Sequence, residues 1–178
     1  MKYAGFWRRF CAYWLDLLIL IPLMFFAIWG ANQSRFFNLY YLIPDSLFGI
    51  WYHAYLVKRY GGTPGKFLAK IKITKLDGTA VGYREAFLRY SVLLVLSTLM
   101  SIAGVMVTLG MNNEAYHAMK WMERSKFMLE NMPTWYSIVN IILNIWIWGE
   151  FIVMLTNKKR RALHDFMAGT VVIRNDYA

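Results

Sequence analysis

Cysteine is almost missing from this chain: Cys11 is the one thiol among 178 residues. A single cysteine excludes a disulfide framework and a cysteine-built zinc site. Its expected role is small apolar packing in the first helix. Histidine is scarce as well, at three, with no metal-ligand spacing, so no metal and no cofactor is expected. No serine sits in a nucleophile elbow. A phosphate loop is missing too: Gly61 stands one position too near Gly65, and Phe67 rather than Ser or Thr follows Lys66. With no nucleophile, metal box or phosphate cradle, the chain is not expected to be an enzyme. Acids are few, 10 against 20 Lys and Arg. A net charge of +10 raises nucleic acid as a partner; the placement of the charges excludes it.

What is abundant is hydrocarbon, with 58% hydrophobic residues gathered into long blocks. Four runs, about 10–29, 36–57, 88–109 and 135–156, are each close to the roughly 20 residues a bilayer crossing requires. The first is too long for a secretory signal, contains Asp16 and lacks a small-residue cleavage site, so it is expected to be retained. Pro44 interrupts the second run and predicts a kink there. In the third, Ser97, Ser101, Gly104 and Thr108 form a stripe suited to close helix packing.

Between the runs lie a basic segment, 58–87, an extracytoplasmic loop, 111–133, and a tail, 157–178. Thr63-Pro64 predicts a helix cap with proline at the first helical position. Residues 70–74 alternate like a strand, Asp77-Gly78 makes a turn, and 79–81 returns; 169–174 is expected as the third strand of this cap. The 111–133 loop predicts an interfacial amphipathic helix with Ala115, Ala118, Met122 and Leu129 on its apolar side and Lys120, Glu123 and Arg124 on the other. The fold class expected is therefore an all-α membrane protein: four transmembrane helices, a small cytoplasmic β-hairpin/strand cap and one interfacial helix, in a single domain over 1–178.

Lys and Arg set the orientation. Three stand at the N-terminus, eight in 58–89 and five in the tail, against four in the two remaining loops. Both termini and the middle segment are thus expected in the cytoplasm, with the protein multi-pass in the cell (inner or plasma) membrane. Positive charge then meets anionic lipid headgroups rather than nucleic acid.

Three acids fall inside the runs: Asp16, Asp45 and Glu150. An aspartate in hydrocarbon costs roughly 2.5–3.5 kcal/mol, so each needs a partner or a purpose. Asp45, Gly49 and His53 share a helix face, as do Ser137, Asn140 and Asn144. A carboxylate with hydroxyl and amide oxygens suits a hard monovalent cation. The candidate cation and proton site is Asp16, Asp45, Glu150, Asn140, Asn144 and Ser97, with Arg8, His53, His164 and Lys66 in support. Four helices are few for a transport path, which implies a homo-oligomer or a membrane-complex partner. The alternative is a non-transporting scaffold. Asp45 and Glu150 discriminate: facing each other across a wet cavity they favour transport, and individually capped in a dry core they favour a scaffold.

Three blocks bear a resemblance. Ala4-Gly-Phe-Trp-Arg-Arg9 through Asp16, Gly61-Gly-Thr-Pro-Gly-Lys66 through Ile73, and Arg161-Ala-Leu-His-Asp165 through Val172 resemble, in order, the opening, middle loop and closing block of RDD-family membrane proteins. The family is named for one arginine and two aspartates, which on this pattern are Arg9, Asp16 and Asp165. The resemblance implies transport, with cation/proton antiport proposed for some members. The 111–133 loop lies outside that pattern.

Overall fold

The computed structural model describes residues 2–175. Helix α1 (Phe6–Gln33) extends past the end of the first apolar run, and Gly30 lets the ring of Phe37 pack where a Cβ would stand. Helix α2 (Phe37–Ile50) carries Pro44 inside it. A π-helical stretch, Trp51–Tyr55, follows and leads without a loop into α3 (Leu56–Tyr60). Gly61, at φ 81°, ends that rod in the left-handed conformation that glycine adopts without strain. A short helix α4 (Pro64–Leu68) and strand β1 (Ile71–Lys75) come next. Helix α5 (Tyr83–Gly110) is followed by α6 (Asn113–Ala118), α7 (Trp121–Glu130), α8 (Thr134–Thr156), α9 (Leu163–Ala168) and strand β2 (Thr170–Arg174).

Three helices, α1, α5 and α8, are long and apolar enough to cross a membrane. The second expected span is a composite of α2, the π stretch and α3, running from Phe37 to Tyr60. Helix α5 packs against both α2 and α8, and α1 against α2 and α8. The outward surfaces are hydrocarbon: Phe25, Ile43, Val95, Ile145 and Trp148 are all exposed. Cys11 is exposed on α1 as well, rather than packed inside.

The cap differs from the expected hairpin. β1 pairs antiparallel with β2, Ile71 opposite Arg174 and Lys75 opposite Thr170. The return at 79–81 shrinks to one bridge, Thr74 to Ala80, and the other end is completed by Tyr3 against Ile173. A two-stranded hairpin is marginal alone. The apolar side chains of β1 instead join a buried cluster with Ala4, Ala12, Ala54, Val57 and Val172, so the sheet is held by the helix ends beneath it.

The 111–133 loop forms two short helices rather than one, and Arg124 departs from the side expected for it. Arg124 is buried, its guanidinium 4.4 Å from the Tyr116 ring centre and bonded to Asn32. The Tyr116 hydroxyl donates to the Ala31 carbonyl at 2.5 Å. Met122 and Leu129 point outward. Lys120 and Glu123 are exposed too, so the aromatic–arginine clamp on the end of α1 takes in Arg124 alone, and helical periodicity does not encode it.

Candidate functional site

The charged residues singled out from the sequence fall into separate groups. The first surrounds Asp16. The π stretch inserts an extra residue into the turn and re-aims its neighbours. Tyr52 consequently reaches α1 and donates its hydroxyl to Asp16 Oδ1 at 2.6 Å. Thr63 does not cap α4 with its side chain, as its position suggests; its hydroxyl donates to Asp16 Oδ2 at 2.5 Å. The Gly65 amide donates to Asp16 Oδ1 at 2.7 Å, so the aspartate of α1 satisfies the first turn of α4 from outside. Lys66 Nζ stands 3.8 Å from Oδ2 and donates to Thr63 Oγ1 at 3.0 Å. Burial, opposed by Asp16, brings the Lys66 ammonium down to about 8. Gly65 is required here: a Cβ would lie 2.3 Å from the Ala12 carbonyl oxygen.

The second group is Asp165, wholly buried at the first turn of α9. Oδ2 accepts from Arg9 Nη1 at 2.7 Å and from the Ala162 amide at 3.0 Å. Oδ1 accepts from Arg89 on α5 and from the Thr170 hydroxyl. Burial alone would push this carboxyl up; Arg89, His164 and Arg9 overcome it and hold it well below the usual range. Next to it, His164 Nδ1 bonds Glu150 Oε2 on α8, and the His164 amide donates to Glu150 Oε1 at 3.2 Å. Burial and the Arg89 charge lower the His164 imidazole. Glu150 and Asp165 are thus latches that fasten the cap to α1, α5 and α8.

Asp45 is different. It has no hydrogen bond or ion pair among the described residues. It lines a cavity of about 20 Å³ between α2 and α5 with Ser46, Tyr90, Leu94, Ser97, Thr98 and Ser101, room for a single water. Five hydroxyls therefore surround one free carboxyl. Below it, His53 stacks on the Tyr90 ring with centroids 4.7 Å apart. Gly49 makes room for Tyr90, whose hydroxyl would lie 2.2 Å from a Cβ there. Tyr90 of α5 thus covers Gly49 and His53 on the face they share with Asp45, while Asp45 itself stays exposed at the cavity's open side. Asn140 and Asn144 lie elsewhere, exposed on α8, with Asn144 Nδ2 donating to the Asn140 carbonyl at 2.8 Å.

The sequence pattern of the RDD family matches residues 3–169, nearly the whole chain. The chain belongs to the RDD family. It is also similar to a Bacillus subtilis (strain 168) protein described as uncharacterized protein YckC, 36% identical over 93 residues. That match covers 49% of this chain and 57% of the relative, so the chain aligns with little more than half of that protein's length. No solved structure matches.

Arg9 and Asp165, two of the residues picked out by the resemblance, touch each other, and Asp16 occupies its own niche about two turns further along the same face of α1. Sequence reading missed their partners: Tyr52, Thr63 and Gly65 for Asp16, and Arg89 and Thr170 for Asp165. It also missed Tyr90, Thr98 and Ser101 beside Asp45. Spacing along α5 carried part of that signal, since Ser97 and Ser101 are one turn apart. Ser97 is near Asp45; Glu150, Asn140 and Asn144 are not in that cavity.

Proposed function

We propose that this RDD-family membrane protein exchanges a monovalent cation for a proton at Asp45. The observation that carries the reading is the unpaired carboxyl in a hydroxyl-lined cavity between two helices. A carboxyl in hydrocarbon prefers its proton; carboxylate and hydroxyl oxygens together are good ligands for a hard cation. One acid alternating between the two couples their movements without any further cofactor.

The proposal includes four crossings, both termini in the cytoplasm and a place in the cell membrane. Parity supports the count. Tyr3 and β1 belong to one sheet with β2, so the chain between them must return to the side it left. If α1 crosses, the Phe37–Tyr60 rod crosses back. The excess of Lys and Arg on that side supports the orientation.

A scaffold reading has its own support: Asp16, Asp165 and Glu150 are all engaged by protein groups that fasten the cap. In that reading Asp45 is a structural acid and nothing is moved. Purified protein in liposomes containing a pH-sensitive dye separates the two. Addition of Na⁺, K⁺ or Li⁺ is expected to move protons through wild type and not through Asp45→Asn. Wild type without flux under all three cations, or Asp45→Asn with unchanged flux, removes the exchange reading and leaves the scaffold.

A further inference from the structure

Two polar stripes face outward from the membrane-spanning helices with nothing among the described residues to cover them. One is Asp45 on α2 with Ser101 on α5, both exposed. The other is Ser137, Asn140 and Asn144 on α8, also exposed. The amide of Asn144 is partly used by Asn140; the amide nitrogen of Asn140 has no partner among the described residues. Hydrocarbon offers neither stripe a hydrogen bond, and polar side chains in lipid are satisfied across helix interfaces.

The stripes match in depth and in chemistry. Asp45 precedes Val57 by about 18 Å of helix, and Asn144 precedes Thr156 by about 18 Å. One stripe supplies carboxylate and hydroxyl acceptors, the other amide donors and amide oxygens. A single chain cannot join them, because α8 turns Asn140 and Asn144 away from the α2–α5 cavity. A second copy can.

We propose that two copies of this chain pack with the α8 stripe of each over the Asp45 stripe of the other. Asn140 and Asn144 of one copy then donate to Asp45 of the second and close the cavity on its open side. Made reciprocally, the contact forms a closed pair and leaves neither stripe in lipid. A symmetric α8–α8 contact would satisfy the asparagines alone and leave Asp45 facing hydrocarbon. This proposal rests on reading 37–60 as a membrane span and deepens the exchange site named above, placing it between two chains.

Disulfide trapping in native membranes tests it. In a Cys11→Ser background, Ser101→Cys and Asn140→Cys chains carrying different tags are expressed together and oxidised. The expected product is a mixed-tag dimer, stronger than the band from either variant alone. A stronger band from Asn140→Cys alone, meaning α8 against α8, overturns the arrangement, and so does the absence of any dimer. As a second measurement, light scattering in detergent is expected to find wild type as a pair. Asn140→Leu/Asn144→Leu should associate about tenfold more weakly or worse, the equivalent of roughly one interhelical hydrogen bond. A monomeric wild type, or a double variant that pairs as tightly, overturns it too. The readout is proximity rather than flux, so failure of the pairing and failure of the exchange reading are separate results.

Discussion

His164 is where one side chain links the cap to the bilayer helices, and its chemistry gives a pH signature. Burial, and then the charge of Arg89, hold its imidazole below the ordinary 6.5 in the folded protein. Between the folded and unfolded values the unfolded chain binds a proton that the folded chain refuses. Stability therefore falls as pH drops below about 6.5. Asp165 acts in another window. Its carboxyl is held below the usual range, so its contribution is present above about 3.8 and lost only below that. The expected outcome is a detergent melting temperature that declines from pH 7.5 to 5.5 in wild type and declines less in His164→Asn. An identical decline in both would assign the slope to another group.

At the scale of elements, the seating of α4 on α1 decides whether Asp16 has its partners. Gly65 permits that seating, since a Cβ would meet the backbone oxygen of Ala12 at 2.3 Å and the Asp16 nitrogen at 2.6 Å, and helix backbone does not yield. Gly65→Ala should cost about 1–3 kcal/mol, the range for overpacking a tight contact. Gly5→Ala is the control, because nothing lies within 4 Å of a Cβ there. Equal melting temperatures for the two variants would mean that α4 is not held as described. The sequence made the long apolar helices legible, because hydrocarbon runs of bilayer length have few other uses. It also placed Arg9, Asp16 and Asp165 in ordered blocks. The partners were not legible. Arg89 lies 76 residues from Asp165 in the chain, and Thr63 lies 47 from Asp16. Thr63 looked like a local cap because the local bond is the default; a carboxylate from another helix is the stronger acceptor and won. Arg124 was read as a surface charge for a similar reason, since periodicity does not reveal an aromatic ring and an amide waiting on a neighbouring helix.

At the scale of the molecule, the small sheet is a statement about topology. The Ala4 amide donates to the Val172 carbonyl at 2.9 Å, and the Arg174 amide to the Lys2 carbonyl at 2.9 Å. β1 pairs with β2 along five residue pairs. Three segments far apart in the chain thus share one hydrogen-bonded patch, and backbone pairs of this kind cannot form across a bilayer. The N-terminus, the 58–82 segment and the tail must lie on one side, and the α6–α7 loop on the other if α5 and α8 each cross once. Single cysteines at Asp77, Lys126 and Lys159 in a Cys11→Ser background make this measurable with a membrane-impermeant maleimide. Lys126→Cys is expected to react in intact cells, and Asp77→Cys and Lys159→Cys only after permeabilisation, as the distribution of Lys and Arg requires. Labelling of Asp77→Cys and Lys159→Cys from opposite sides would be incompatible with the β1–β2 pairing itself. Labelling of both from outside would keep the sheet and invert the protein, leaving sixteen of its twenty basic residues on the wrong face of the membrane.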